Sequence, residues 1–498
     1  MNSLPTKWVF ATLGDVCSRP QYGWTCKASK KGKLKILRTT DTSKNRVDWN
    51  SVPYCSIEPK DADQYKIEIN DILVSRAGSV GVSYRVDNLP VDAIFASYLI
   101  RFKPISDTHP KYIEFYLQSD AYWRSISEYS AGIAVPNVNA SKLSKLLIPI
   151  PPLNEQQRIV AKLEKLMAKV DQCKARLEKI PTILKRFRQS VLAAACSGGL
   201  TKGWREHNSG IEDAGTLLNR IIEERIHKHN LERCISIKAG KKKPKKIDLS
   251  TEVDESTIAI RLPNKWKLTN LESVCLDIVD CPHSTPKWNT KGKICLRATN
   301  FRPQQLDWSE VHFVSETTYK SRINRLKPRL GDILYSREGG ILGIACLLDR
   351  KVDVCLGQRM MLIRPSINTS NMFLNFLLNS PLVLRHVQSL IGGSASPHVN
   401  VGDIKKYPIP LPPLKEQQEI VRRVEALFKI ADQIEERYNK AKAYVDKLTQ
   451  SILAKAFRGE LVPQDPNDPP ASELLARIKA EKKEIEAQRP DRRKKAKN

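Results

Sequence analysis

One stretch of this chain is written twice, and that repeat constrains the fold more than any other feature. The segment PLNEQQRIVAKLEKLMAKVDQ begins at Pro152, and PLKEQQEIVRRVEALFKIADQ begins at Pro413, with 11 of 21 positions identical and no gap. The shorter motifs DILVSR and DILYSR recur at the same spacing, and the openings LPTKW and LPNKW recur at a slightly shorter one. A repeat that extends this far along a chain predicts two similar halves, each with its own folded region and helix.

The repeated segment predicts a long helix with a single apolar seam. Apolar residues step alternately by four and three positions, which is the heptad pattern of a coiled coil. The seam positions are Ile159, Leu163, Leu166 and Val170 in the first copy and Ile420, Val424, Leu427 and Ile434 in the second. Because so narrow a seam accommodates one partner, we expect the two copies to pair with each other. The short helix, basic linker and globular region between the copies favour an antiparallel coiled coil. A parallel pair and a simple bundle helix are the alternatives.

Proline and glycine residues predict where these helices begin, break and end. Paired prolines precede each copy, and Gly198 and Gly459 follow the last apolar positions. The first helix, Asn154 to Cys196, would span roughly 64 Å at 1.5 Å per residue, which suits a spacer. Pro181 has no counterpart in the second copy, so we expect a kink or a break there.

The repeat divides the chain into six segments. Their predicted order is globular domain, long helix, short helix with a basic linker, and then the same series again with a basic tail. The boundaries are 1–150, 151–200, 201–260, 261–411, 412–461 and 462–498.

Each globular half predicts a mixed α/β domain with a curled sheet. Short apolar strand-like segments such as KLKILRTTD and KICLRATN alternate with turns and are followed by one brief helix. Several turns place arginine beside a small polar residue, and these side chains suit base edges and phosphates. The candidate DNA contacts are Arg38, Thr39, Arg76, Asn139, Arg297, Asn300, Arg337 and Asn400. The alternatives are ordinary turn chemistry for the arginines and Asx turns for Asn139 and Asn400.

The two halves differ most in one loop. SRPQYGWTCKASKKGK, from Ser18, corresponds to LDIVDCPHSTPKWNTKGK, from Leu276, and the two share little beyond the closing Lys-Gly-Lys. Similar scaffolds that carry different loops predict two different half-sites. We refer to residues 18–33 and 276–293 as the variable loops.

Composition favours a polyanionic partner and gives no sign of catalysis. The chain has 83 Lys and Arg against 54 Asp and Glu, a formal charge of +29, which a neutral substrate would not require. The 11 cysteines form no C-x-x-C pair, and neither a Walker motif nor a His-Glu-x-x-His motif occurs. Without a signal segment or a long apolar run, a soluble cytoplasmic protein is expected.

Together, the helix starts, the helix ends RFRQSVLAAACSGGLT and LTQSILAKAFRGELV, and the LP-x-KW openings resemble the DNA specificity subunit of a type I restriction-modification enzyme. The resemblance implies two target-recognition domains on an antiparallel coiled coil, each reading half of a split asymmetric sequence in a system of antiviral defence. It also implies double-stranded DNA, two methyltransferase subunits and restriction subunits as partners. Adenine N6 methylation and ATP-dependent cleavage would belong to those partners, together with S-adenosylmethionine, ATP and Mg²⁺, and no cofactor or metal is expected in this chain.

Two other functions remain open at this stage. A DNA nuclease with a loosely spaced carboxylate site would cut DNA without partners. A basic coiled-coil scaffold would bind nucleic acid without regard to sequence.

Overall fold

The computed structural model describes residues 4–42, 46–130, 137–240, 242–253, 260–391 and 397–487, and the chain forms two compact units. The first unit joins Met1–Glu178 to Asn439–Asn498, and the second consists of Lys179–Tyr438. The first unit is therefore assembled from the two ends of the sequence. The predicted basic tail after Ala487 lies outside the described residues.

The first half of the chain contains short strands, several of them fully buried, and brief helices. Its strands are β1 (Val9–Thr12), β2 (Gln21–Tyr22), β3 (Ala28–Ser29), β4 (Lys35–Leu37), β5 (Tyr54–Cys55), β6 (Ile72–Ser75), β7 (Ser83–Arg85), β8 (Ala93–Phe95), β9 (Leu99–Phe102) and β10 (Leu147–Ile150). Its helices are α1 (Leu13–Val16), α2 (Pro110–Tyr116), α3 (Asp120–Ser130) and α4 (Ala140–Ser144).

In the described part of the stretch that follows, four helices connect the two halves. They are α5 (Leu153–Leu177), α6 (Ile180–Cys196), α7 (Lys202–His207) and α8 (Ala214–Lys238). Among the described residues, no helix is both long and apolar enough to cross a membrane.

The second half has the same kinds of element, followed by two further helices. Its strands are β11 (Lys267–Asn270), β12 (Cys275–Asp280), β13 (Lys293–Leu296), β14 (Phe301–Arg302), β15 (Gln305–Leu306), β16 (His312–Val314), β17 (Ile333–Ser336), β18 (Ala345–Leu347), β19 (Val354–Leu356), β20 (Met360–Pro365) and β21 (Pro408–Leu411). Its helices are α9 (Glu316–Arg322), α10 (Asn371–Leu378), α11 (Pro381–Leu390), α12 (Val401–Lys405), α13 (Leu414–Phe457) and α14 (Ala471–Ala487).

The two globular halves share the strand order of one sheet and differ in the other. A four-stranded antiparallel sheet has the order β2-β9-β6-β7 in the first half and β12-β20-β17-β18 in the second. A second sheet in each half contains one parallel pair, β4 with β8 and β13 with β19. Strands such as β6 and β17 are buried along their whole length, as their continuous apolar runs require. The predicted mixed α/β architecture with an internal repeat is confirmed.

The break expected at Pro181 is present. Helix α5 ends at Leu177, and α6 begins at Ile180 with the proline in its first turn, where a missing N–H costs nothing. The second copy, α13, continues unbroken for 44 residues. Both copies end before a glycine with a φ of +77°, Gly198 and Gly459, as predicted.

Within each unit the helices pack through the predicted seam. In the first unit, Ile159, Leu163 and Val170 of α5 lie in one buried core with Val445 and Ile452 of α13. In the second, Val191 and Leu192 of α6 share a core with Ile420 and Val424 of α13. Leu166 and Leu427 pack against these cores while remaining partly exposed.

Contacts in the second unit give the direction of this pairing. Arg188 binds Asp432 and Glu435, whereas Leu200, twelve residues later, accepts a hydrogen bond from Arg423. Position along α6 therefore rises as position along α13 falls, and the two segments are antiparallel.

Ile434 is a correction to the predicted seam. Its side chain is 42% exposed, because α6 meets α13 at this level through Arg188, whose guanidinium binds Asp432 and Glu435.

A buried polar knot attaches each globular half to the start of its helix. In the first unit, Trp8 of the LP-x-KW opening donates its Nε1 hydrogen to Glu155 at 3.0 Å, and Gln464 donates to the other carboxylate oxygen at 2.6 Å. In the second unit, Trp266 donates to Glu416 in the same way at 2.9 Å. The Glu-Gln-Gln motif is therefore a set of buried partners for the opening of its own repeat.

Candidate nucleic-acid interface

In the first half, several candidate residues meet at one edge because two parallel strands end there. Leu37 at the end of β4 lies opposite Phe95 at the end of β8, so Arg38 and Tyr98 follow on the same side. Strand β6 reaches this edge too, where the backbone N–H of Arg76 donates to the carbonyl of Tyr98 at 2.9 Å. We call Arg38, Thr39, Arg76, Tyr98 and Asn139 the first loop edge.

Tyr22 of the first variable loop joins Arg76 to helix α4. The guanidinium of Arg76 lies 4.9 Å from the centre of the Tyr22 ring, within the range of a cation–π contact. The Tyr22 hydroxyl accepts a hydrogen bond from the N–H of Ala140 at 3.0 Å. The side-chain oxygen of Asn139 caps the same helix by accepting from the N–H of Lys142, so the Asx-turn alternative applies to this residue.

Arg38 is braced within its own turn. Its guanidinium donates twice to Asp41, at 3.0 and 2.8 Å, and these hydrogen bonds raise the pKa of Arg38. The side chain is still 41% exposed, which leaves part of its fork accessible. Thr39 is half-buried, and its carbonyl accepts a hydrogen bond from Thr42.

The second half builds an equivalent edge. Leu296 at the end of β13 lies opposite Leu356 at the end of β19, and Gly357 donates to the Leu296 carbonyl at 2.8 Å. The N–H of Arg337, just after β17, donates to the carbonyl of Arg359 at 3.1 Å. The second loop edge consists of Arg297, Asn300, Arg337, Arg359 and Asn400.

Arg297 lies beside an aromatic side chain of the second variable loop. Its guanidinium lies 5.3 Å from the ring centre of Trp288 in the second variable loop and donates to His312 at 3.1 Å. Trp288 is 38% exposed, so a flat aromatic surface and a cation stand side by side.

Asn300 takes a structural role, which corrects its assignment as a base contact. The residue is 3% exposed, and its side-chain amide donates to the carbonyls of Asp307 and Glu310 at 3.1 and 2.7 Å. Its side-chain oxygen accepts from the N–H of Arg297. Asn300 thus shapes the turn that presents Arg297 and has no free amide edge to offer a base.

Arg337 is likewise buried, unlike its repeat counterpart Arg76. Its side chain is 8% exposed and binds Asp280 at 3.0 Å and Glu338 at 2.9 Å. A further guanidinium nitrogen of Arg337 lies 3.2 Å from the imidazole of His283 in the second variable loop. These contacts make Arg337 a brace for that loop, so the predicted base contact is corrected. Asn400 stands at the start of α12 and donates to the carboxylate of Asp403 at 3.3 Å.

Each variable loop therefore lies against the arginines of its own edge. Tyr22, Tyr98, Trp288 and Arg359 belong to these surfaces and were missed by the sequence argument. Only the repeat spacing could have indicated Tyr98 and Arg359, which occupy equivalent positions with different side chains. Within the described residues, no group of three or more His, Cys, Asp or Glu is arranged to hold a metal ion.

Comparison with known proteins identifies relatives along most of the chain. The family model for the type I restriction modification DNA specificity domain matches residues 5–182 and 263–443, one match in each repeat. The EcoKI specificity subunit of Escherichia coli K12 is 31% identical over 505 residues, covering 96% of this chain and 96% of that protein. The StySPI specificity subunit of Salmonella potsdam is 31% identical over 465 residues, covering 90% of this chain and 89% of that protein.

Solved structures resemble the fold as well. A chain from a study of complex assembly and conformational transition of the type I R-M system aligns with a TM-score of 0.63, covering 92% of this chain and 100% of that one at 18% identity. The HsdS subunit of Thermoanaerobacter tengcongensis aligns with a TM-score of 0.55, covering 92% of this chain and 98% of that one, also at 18% identity.

Proposed function

The chain belongs to the type I restriction-modification DNA specificity subunits, and from that membership we propose how its parts act. Specificity subunits recognise the DNA target and direct the modification and restriction subunits to it, and they are not themselves catalytic. The observation that carries this function is the double match of the specificity-domain family to the two repeats. Neither the nuclease nor the scaffold alternative receives support from the relatives.

We further propose that residues 1–150 and 261–411 are two target-recognition domains, each reading one half of a split asymmetric sequence. The unlike variable loops support this, because each lies against the arginines of its own loop edge. Arg38, Thr39, Arg76 and Arg297 are the predicted residues that still suit DNA contact. The net charge of +29 supports a phosphate backbone as the underlying attraction.

The helical segments at 151–200 and 412–461 are the proposed spacer and the platform for partner subunits. Two identical methyltransferase subunits would suit a chain that presents the same helix motif twice. Adenine N6 methylation and ATP-dependent cleavage would be carried out by partners using S-adenosylmethionine, ATP and Mg²⁺. The complex would act in the cytoplasm, where the DNA is.

The experiment that tests this function is to co-express the chain with modification subunits and map modified adenines across the host genome by single-molecule sequencing. One split, non-palindromic motif is the expected result. An intact complex that leaves no such motif would refute the proposal, and DNA cutting by the chain alone would favour the nuclease.

A further inference from the structure

Two equivalent turns at the loop edges carry unlike exposed side chains. The turn between β8 and β9 ends in Tyr98, and the turn between β19 and β20 ends in Arg359, 261 residues later. The carbonyl of Tyr98 accepts a hydrogen bond from the N–H of Arg76, and the carbonyl of Arg359 accepts one from the N–H of Arg337. The two backbones therefore make equivalent hydrogen bonds. Tyr98 is 60% exposed, and the side chain of Arg359 is 52% exposed.

Arg359 makes one long ion-pair contact and is otherwise half exposed to solvent. Its Nε lies 3.8 Å from a carboxylate oxygen of Glu338, which is within ion-pair range but beyond hydrogen-bonding distance, and Glu338 also binds Arg337 at 2.9 Å. By contrast, Arg337 itself is buried among its partners. At this edge the exposed cation is therefore Arg359.

The backbone of Arg359 gives a second, independent indication. Its φ is +69°, in the left-handed region that favours glycine, and such residues concentrate at functional sites. Tyr98, at the equivalent position, is not among the residues with positive φ. The turn that the two halves share therefore does not itself require this conformation.

Each of the two turns is hydrogen-bonded to the variable loop of its own half. Gln358, beside Arg359, accepts a hydrogen bond from Thr285 of the second variable loop. In the first half, Ser97, beside Tyr98, donates its N–H to the carbonyl of Trp24 in the first variable loop. Each turn is thus fixed to the loop that differs most between the halves.

We propose that Tyr98 and Arg359 are specificity-determining residues, one for each half of the target. Arg359 reads a guanine, because its planar fork matches the O6 and N7 acceptors in the major groove. Tyr98 has no such fork and makes apolar contact with a base edge, which in the major groove means the methyl group of thymine. This inference rests on the proposed function, since it assigns bases within the same two half-sites.

The test compares modified motifs in cells that express the complex with the wild-type chain, Tyr98→Ala or Arg359→Ala. Arg359→Ala should relax one guanine position in one half-site, lowering discrimination there roughly 5- to 150-fold, the range of a good bidentate base contact. Tyr98→Ala should relax a thymine position in the other half-site. Arg359→Lys should relax the same guanine position to a smaller degree than the alanine variant, because lysine keeps a charged donor and loses the planar fork.

A matched control is Arg329→Ala. Arg329 is an exposed arginine of the same half, and it lies before β17, whereas Arg337 follows that strand. The loss of the Arg329 side chain should leave the motif unchanged. A motif unaltered in the Tyr98 and Arg359 variants, or methylation weakened equally at all sites, would overturn the inference. If the complex with Arg359→Ala modifies no DNA, the test uses the complex with Arg359→Lys instead. A motif that is unrelaxed in that variant also overturns the inference.

Failure of the inference can be told apart from failure of the function. A wild-type complex that yields no split motif refutes the proposed function. A wild-type split motif that both variants reproduce refutes only the assignment of Tyr98 and Arg359.

Discussion

Glu416→Ala should lower the free energy of local unfolding at the start of α13 by about 3 kcal/mol. This value follows from the three hydrogen bonds to the buried Glu416 carboxylate. The carboxylate is fully buried and accepts from Trp266 at 2.9 Å, Thr201 at 2.6 Å and Arg205 at 2.5 Å. Removing one partner of a buried ion pair costs about 3–5 kcal/mol, and each donor left unpaired costs about 1–3 kcal/mol. Arg205 is 20% exposed and can regain water, so the lower end of the range applies.

The first repeat provides the comparison for this prediction. Glu155 accepts from Trp8 and Gln464, and among the described residues no guanidinium is hydrogen-bonded to its carboxylate. Burial raises the pKa of Glu155, although both hydrogen bonds oppose that shift. Two neutral donors are lost in Glu155→Ala, and we therefore expect a smaller loss, about 2 kcal/mol.

Hydrogen exchange read by mass spectrometry on the full-length chain measures both losses locally. A loss of about 3 kcal/mol corresponds to roughly 150-fold faster exchange in peptides around Trp266 and the start of α13. Glu425→Ala, an exposed glutamate on the same helix, is the control and should change little. Acceleration below tenfold in Glu416→Ala, or a larger effect in Glu155→Ala, would refute the assignment of the carboxylate as the centre of the knot.

Three further substitutions test the packing described above. Arg337→Ala should destabilise the second globular half by about 3–5 kcal/mol, because the carboxylates of Asp280 and Glu338 would face no buried cation; urea denaturation showing under 1 kcal/mol would contradict this. Leu163→Ala should cost about 2–5 kcal/mol, since the side chain is fully buried in the helix core, and an unchanged melting temperature would argue against that core. Arg188→Ala removes an ion-pair contact whose acidic partners are largely exposed and should cost at most about 1 kcal/mol, so a loss above 2 kcal/mol in the same assay would disagree.

Local patterns in the sequence predicted the helices well. The seam, the break at Pro181 and the glycine ends depend on residues close together along the chain, and the structure contains the break, the glycine ends and most of the seam. The prediction that Ile434 lies in the seam was wrong, because the neighbouring side chain on the other helix is the charged Arg188. A periodic pattern in one helix does not reveal such a neighbour.

The polar knots could not be predicted from the helix alone. Glu155 lies in the first turn of its helix, yet it is the buried acceptor of Trp8, 147 residues away. Arg337 shows the same limitation, since its partners Asp280 and His283 come from a variable loop whose sequence differs from that of its counterpart in the other repeat. Side chains that meet across long separations need the sheet topology before they can be paired.

Each compact unit contains elements from both repeats, and this explains the duplication. Beside the opening of the first repeat lie the helix start of that repeat, at Glu155, and the helix end of the other, at Gly459, where any side chain would collide with Pro5.

The short helices close the units in the same crossed manner. Helix α14 of the second repeat begins where the N–H of Ala471 donates to the carbonyl of Lys7, and α8 of the first repeat begins where the N–H of Ala214 donates to Lys265, both at 2.9 Å. Antiparallel pairing is the cause, because it places the start of one helix beside the end of the other. Each globular half is therefore completed by elements from the other repeat, which is why the chain must contain the helix twice.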